Sequence, residues 1–490
     1  MKSIAIACLA GLLIGCEVDQ KAEVAAYRGL LDVGPSPEVS EDSPLSLEAA
    51  VRLANDTNER LSIEGEEYVQ ALAQRRLAAS ALLPTVDLFG DLQVRENVGG
   101  TATSEGGSGG STSGNTAFDA GFSGQYTLMT GMTDINRVRA ADLTIEQRLW
   151  LLLDLRETLL LETARAYYTV LLAERQVQVI ESSLAVQEER LRDIRGRREA
   201  GFARPLDVAQ IEAQASQTKV SLLDAKNQES VARSALGLLT GVDVRARRLS
   251  DGFDPPVETP TLAELMALGE ANRPDLLAAA AEAAAVRREV DAQIGRYYPT
   301  VTVNLDYFLT RETVPTDRDW SGLLSINLPI FSAGRIDADV RAAWSRFRQA
   351  VLNHSLVRRQ IVRDVEVAMA DLVATRERVL ETAKQVRSAQ EALRQAEAAY
   401  GAGLGTNLER IAAQDQLLSA QLRAAREEFT SKLAYLAGAR AVGLLTRTLT
   451  NAGPAPERLP PRREVPESPF IVRPGSGEGT RATEERLVED

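Results

Sequence analysis

A chain of 490 residues, 44% of them hydrophobic, has the material for two or three ordinary domains with buried cores. Its formal net charge of −13 excludes nucleic acid as the expected partner, because binding phosphate needs a basic surface. The acidic excess fits a periplasmic surface or a water-filled lumen that favours cations, and it equally serves solubility alone.

The chain opens with Met1-Lys2 and an apolar run over residues 3–15 that is too short to cross a bilayer as a helix. The run ends Leu13-Ile14-Gly15-Cys16, which resembles a bacterial lipobox. That resemblance implies a lipoprotein signal peptide over 1–15, cleavage before Cys16, and covalent lipid, palmitate included, on the Cys16 thiol and amine. Two or more acyl chains suffice for stable anchoring. Glu17, by the same resemblance, favours sorting to the outer membrane. The other cysteine, Cys8, falls in the removed segment, so the mature chain is expected to carry no disulfide. No further cofactor is expected. His354 has no second His or Cys with which to complete a metal site, and no catalytic constellation stands out, so the chain does not read as an enzyme.

Residues 16–45 read as a polar, lipid-anchored arm, and 46–81 as a helix. A first strand over about 84–96 places Val86, Leu88, Gly90, Leu92 and Val94 on one face, with Asp87, Asp91 and Gln93 between them. Residues 99–115 are almost wholly Gly, Ser and Thr; without a strand–GxGxxG–helix or Walker context they suit a flexible surface loop rather than a phosphate cradle. A second strand over about 117–129 alternates Phe118, Ala120, Phe122, Gly124, Tyr126 and Leu128 with Asp119, Ser123 and Gln125. A helical hairpin, 132–240, follows. The stretch 132–195 lacks Gly and Pro, and at 1.5 Å per residue it can extend on the order of 100 Å. Its apolar positions recur at three and four, interleaved with Glu and Arg, as in a coiled coil in water.

The plan then repeats. Repeat 1 spans 46–250 and repeat 2 spans 262–447, joined by a Pro-rich linker at 251–261. Repeat 2 contains a helix (262–294), strands over about 299–309 and 319–331, and a hairpin over 335–445. Residues 448–490 read as a mobile tail. Leu83-Pro84-Thr85-Val86 recurs as Tyr298-Pro299-Thr300-Val301, and Glu199-Ala200-Gly201 with Leu206-Asp207 recurs as Gly401-Ala402-Gly403 with Leu408-Glu409. The second strand pair alternates Val301, Val303, Leu305, Tyr307 and Trp320, Gly322, Leu324, Ile326, Leu328 with polar residues. Tyr297, Tyr298, Phe308, Trp320 and Phe331 lie near strand ends, where an interfacial girdle would put them and where aromatics are common anyway. Strands of this pattern and length suit a membrane barrel. Four are too few, since the smallest barrels use about eight, and an open edge in hydrocarbon is too costly to persist. The barrel must be shared between chains.

With this duplicated helix–strand–strand–helix plan, the element Leu328-Pro329-Ile330-Phe331-Ser332-Ala333-Gly334-Arg335, the turns at Gly201 and Gly403, and Ala164-Arg165-Ala166-Tyr167-Tyr168, the chain resembles the TolC family of outer-membrane efflux and secretion channels. The lipobox places the resemblance in the lipoprotein branch serving multidrug efflux. The match covers about 46–445. Repeat 1 departs from the pattern by leaving its second strand through Leu128-Met129-Thr130-Gly131, without a Pro-x-Phe element, and repeat 2 has Met369-Ala370-Asp371 where a Tyr is common.

The resemblance implies a mostly α fold with membrane β: a homotrimer with a twelve-stranded β-barrel continuous with a long α-helical periplasmic barrel. It implies a passive exit duct in a tripartite efflux system, lodged in outer-membrane lipid, with a periplasmic adaptor and an inner-membrane transporter as partners. A type I protein-secretion duct, or a coiled-coil adaptor without a pore, is the alternative. At the two turns, Gly201 and Gly403 suit a left-handed helix end and Pro205 a first helical position. Thr406 and Glu409 have capping-box spacing. Asp207 and Glu409 either stabilise helix N-termini or, by resemblance, form acidic rings at the periplasmic tip and gate, where Ala412 replaces the motif's next acidic residue. Leu206 and Leu408, with the turns, are the adaptor-docking candidates by the same resemblance.

Overall fold

The computed structural model describes residues 20–32, 43–94, 116–256, 260–313 and 316–450. The expected signal peptide, Cys16, the Gly/Ser/Thr-rich segment 99–115 and residues 451–490 of the tail lie outside the described residues. In chain order the elements are α1 (Gln20–Leu31), β1 (Leu45–Ser46), α2 (Leu47–Thr57), α3 (Glu59–Ser80), β2 (Thr85–Val94) and β3 (Thr116–Thr130). The long helix α4 (Thr133–Glu199) follows, then α5 (Pro205–Thr240) and β4 (Leu249–Ser250). The second copy supplies α6 (Leu262–Asn272), α7 (Pro274–Gly295), β5 (Thr300–Thr310), β6 (Trp320–Asn327), α8 (Arg335–Gly401) and α9 (Asn407–Ala441), and α10 (Leu445–Thr450) follows. Helices α4 and α8 are each 67 residues long; residues 335–400 lack Gly and Pro as 132–195 do, and both runs fold as helix.

Two compact units form. One comprises Gln70–Arg148 and Ala279–His354 and holds a four-stranded antiparallel sheet in the order β2-β3-β5-β6. Strand β3 of the first copy pairs with β5 of the second, so the two hairpins make one sheet. Each copy leaves its strand pair through two successive left-handed residues, Gly131 (φ 60°) and Met132 (φ 67°), then Ala333 (φ 51°) and Gly334 (φ 80°). At Gly131 the chain comes so close to Gly295 that an added Cβ would strike the Gly295 carbonyl oxygen and lie 2.6 Å from Cβ of Tyr298. Thr133 donates its hydroxyl to Ala292 O at 3.1 Å beside this contact.

The other unit comprises the described parts of Met1–Val69, Leu149–Ala278 and Ser355–Pro461. Its main core joins Leu47, Ala50 and Val51 of α2 to Leu160, Ala164, Tyr167 and Tyr168 of α4, and to Leu236, Phe429, Leu436, Leu445 and Leu449. The Ala–Tyr motif is therefore a core motif. The Tyr167 hydroxyl lies 2.8 Å from Leu45 O and 2.7 Å from Ser250 O, and it accepts from Ser250 N–H at 3.2 Å. It thus braces the two-residue parallel pair β1–β4, which no sequence pattern announced. Burial raises the Tyr167 phenol above its ordinary range. Buried Glu157 of α4 accepts from the N–H groups of Leu445 and Thr446 and from the Thr446 hydroxyl, capping α10.

The structure corrects four expectations. The polar arm is in part a docked helix: Tyr27 and Leu31 of α1 are buried against Leu61, Leu149 and Leu152, and Arg28 donates to Asp56 O at 2.8 Å. The apolar stripe Val24, Tyr27, Leu31 spans only two turns and is easily lost among charges. The helices expected over 46–81 and 262–294 are each broken. Asn58 takes an extended ψ of 126° and Arg273 one of 121°, the latter because the following Pro274 disfavours helical backbone. Strand β6 ends at Asn327 rather than near 331, since Pro329 has no N–H for the ladder. A β-bulge between Thr127 and Met129 removes Leu128 from the register, so Met129 pairs with Val301.

Tyr167→Phe is expected to destabilise the protein by about 1–3 kcal/mol, read as a lower denaturant midpoint. Tyr168→Phe serves as the contrast. The Tyr168 hydroxyl is buried with no partner among the described residues, so its removal should be neutral or stabilising.

Candidate functional site

Two regions carry the functional expectations, one in each unit. In the sheet, register sorts side chains into two faces. Leu88, Phe122, Tyr307 and Trp320 lie in one cross-strand row, and Val86, Gly124, Leu305 and Gly322 in another. Asp87, Ser123, Asp306 and Ser321 form a row on the opposite face. Ser123 donates to Asp306 at 2.8 Å and Ser321 donates to the same carboxylate at 3.3 Å, so the polar row is knit by side chains. Asp119 accepts from the backbone N–H groups of Glu312 and Thr313 and from the Thr313 hydroxyl, holding the end of β5.

The apolar face stands bare in a single chain: Val86 and Ile326 are each 69% exposed. Burying such a surface is worth roughly 25 cal/mol per Å², and nothing among the described residues covers it. Strands β2 and β6 are the two edges of the sheet, each with one unpaired side. Tyr297, Tyr298, Trp320 and Phe331 are exposed, as a girdle requires. Phe308 is not part of it. It lies on the polar face, where it packs edge-on against Phe89 at 5.8 Å with the Arg311 guanidinium 4.3 Å from its ring centre.

In the helical unit, both hairpin turns end their first helix in the same way. Gly201 (φ 81°) and Gly403 (φ 72°) take the left-handed conformation that an L side chain resists. Phe202 N–H bonds Arg197 O at 2.8 Å and Leu404 N–H bonds Ala399 O at 2.9 Å, the reach of a Schellman closure. Pro205 occupies the first turn of α5, and Thr406 with Glu409 forms a complete capping box. Glu409 accepts from Thr406 N–H at 2.9 Å and remains exposed at the surface.

Asp207 is held differently. It is only 8% exposed. It accepts from Arg204 N–H at 3.3 Å and from the Arg204 guanidinium at 3.0 and 2.9 Å. Those bonds hold its carboxyl below the usual carboxylate range. The two acidic candidates are thus unequal: one is locked to its own turn and one faces water.

The structure brings the two turns together, with Ile194, Val208 and Ile211 packing against Ile411. Leu206 and Leu408 are exposed as expected, yet Phe202 (86%) and Leu404 (87%) are barer still. Sequence reasoning passed over this pair. Its signal was an apolar residue directly after each helix-ending glycine.

A fold of duplicated hairpins on a shared sheet, with one bare apolar face, one polar face and open edges, defines a class of β-barrel channel subunits. The family model described as outer membrane efflux protein matches residues 67–242 and 266–437, one segment in each copy, and the chain belongs to that family. It is 26% identical to the outer membrane protein OprJ of Pseudomonas aeruginosa over 295 residues, 58% of each chain, so the match spans under two thirds of that relative. It is 22% identical over 267 residues, 53% of this chain and 57% of the other, to the probable outer membrane lipoprotein SilC of Salmonella typhimurium. Among solved structures, the CmeC outer membrane channel of Campylobacter jejuni superposes with a TM-score of 0.72 at 17% identity, covering 84% of this chain and 91% of that one. The family is one of transport channels rather than enzymes.

Asp207→Asn should lower stability at neutral pH by about 0.3–1 kcal/mol through loss of the first-turn charge and its bonds. A depressed carboxyl pKa contributes stability that is complete above the unfolded value near 3.9 and lost as pH falls through the folded value. The gap between wild type and variant, measured by thermal unfolding, should therefore close below about pH 4.

Proposed function

We propose that this chain is one of three identical subunits of an outer-membrane duct, through which an inner-membrane transporter and a periplasmic adaptor expel small molecules. One observation carries the reading: a single chain presents four strands with a bare apolar face and two unpaired edges. In hydrocarbon each unpaired N–H and C=O costs several kcal/mol, so the edges must pair with something. Pairing β6 of one copy with β2 of the next satisfies both edges, turns the apolar face to lipid and encloses the polar face around water. Three copies supply twelve strands, a number that comes from the family resemblance.

Asp87, Asp91, Asp119 and Asp306 then line the enclosed space, and carboxylates there favour cations over anions. The hairpin turns form the periplasmic end, where exposed Phe202, Leu206, Leu404 and Leu408 offer the adaptor an apolar footing. Glu409, facing water, is the better gate candidate of the two acidic residues. Cys16 carries the lipid anchor, a reading supported by the lipobox and by the likeness to a relative named as a lipoprotein. No catalytic step is needed, only a sealed polar path.

The test is oxidative cross-linking of paired cysteines, one along β2 at Asp87 or Gln93 and one along β6 at Ser321 or Ser325, combined with bilayer conductance. Covalent trimers and cation-selective channels are expected, with Glu409→Ala altering conductance or cation preference. Chains that remain monomeric and electrically silent would remove the proposal. Normal channels that are indifferent to Glu409→Ala would remove only the gating role.

A further inference from the structure

Near the hairpin turns, a polar layer interrupts the apolar packing of one chain's helices. Ile194, Val208 and Ile211 pack on the side towards the turns, and Val177, Ile180 and Ala225 on the other. Between them lies a cavity of about 20 Å³ lined chiefly by Gln187 and Arg190 of α4, Gln214 of α5, and Arg410 and Gln414 of α9.

Most of the polar groups around it are satisfied. Arg190 pairs with Glu397 and donates to Gln414 Oε1 at 3.2 Å. Gln414 donates to Ser183 at 3.4 Å, and Gln214 donates to Asp415 at 2.7 Å. Arg410 is the exception. It is 8% exposed, its guanidinium sits 4.3 Å from the Tyr400 ring centre, and it donates to Asn407 Oδ1 at 3.0 Å. Among the described residues no carboxylate lies within ion-pair distance of it. Its Nε has no partner, and neither amide atom of Gln187, itself only 3% exposed, has one. Arginine stays charged in proteins, so it cannot escape burial by releasing its proton. Burial and the like charge of Arg190 push the Arg410 guanidinium down from its ordinary range, and Tyr400, Glu397 and Asp193, none of them in an ion pair with it, offset this only in part.

A second copy of the chain is poorly placed to supply that charge, because Arg410 is already enclosed by its own chain. The cavity exceeds the roughly 10–15 Å³ that one water-sized sphere needs, yet it is too small for phosphate, sulfate or a carboxylate. We propose that it is a binding site for one monatomic anion, chloride in practice, which accepts from Arg410 Nε and the Gln187 amide and supplies the missing counter-charge. An ion there ties α4 to α9 at one level, beside Gln214 of α5. Buried polar layers in helical packings set register in this way.

The test uses the full-length protein in detergent, crystallised with bromide in place of chloride. An anomalous peak in the cavity against Arg410 is expected in the wild type, and its loss is expected in Arg410→Met. In solution, chloride replacing gluconate at constant ionic strength should raise the wild-type Tm saturably and leave Arg410→Met unchanged. A cavity that holds only water, an anomalous peak that survives Arg410→Met, a neighbouring copy's carboxylate seated on Arg410, or a wild-type Tm indifferent to chloride would each overturn the proposal. If Arg410→Met does not fold, the wild-type crystal and the chloride titration decide it between them.

Discussion

The rest of this molecule depends on the cost of leaving a backbone N–H or C=O unpaired in hydrocarbon. Strands β2 and β6 are both edges, so the sheet of one chain is an incomplete object in a membrane. Alternation along each strand gives the sheet an apolar face and a polar one, and it specifies which way the sheet curves when copies join. In the proposed duct, function follows from closure: the hole belongs to the assembly and not to a single chain.

Within one chain, duplication solves the matching problem of joining a sheet to long helices. Each copy leaves its strand pair through two left-handed residues and enters a helix of 67 residues. Glycine is indispensable in the first copy, where Gly131 and Gly295 approach backbone to backbone. In the helical unit, adhesion relies on buried polar side chains as well as apolar ones. Tyr167 ties β1 to β4, Glu157 caps α10, and Arg273 bridges Asp275 and Asp364. Such groups contribute modestly when paired and cost heavily when one partner is removed. They therefore select one arrangement of helices more than they stabilise it.

The paired turns show how equivalent sequence positions acquire different roles. Asp207 and Glu409 occupy the same place in each copy, at the third position of a helix. Arg204 captures Asp207 with three hydrogen bonds, whereas Thr406 leaves one edge of Glu409 open to water. Among the differences between the two turns, Arg204 in one and Thr406 in the other, each three residues before the acid, leave one carboxylate locked and the other free.

Local chemistry was legible without coordinates. Period-two alternation marked all four strands to within a few residues except at Pro329. The absence of Gly and Pro marked both long helices, and Thr406-x-x-Glu409 marked its cap. The two-copy plan was also plain, because repeated motifs need only comparison along the chain. These features arise from interactions a few residues apart, which composition and spacing encode directly. Tertiary structure alone decided the pairing of β3 with β5, the bulge at Leu128, the docking of α1, the packing of Phe308 against Phe89 and Arg311, and the buried charge of Arg410. Each depends on groups far apart in the chain meeting in one place, and no local pattern records which surface a side chain will meet.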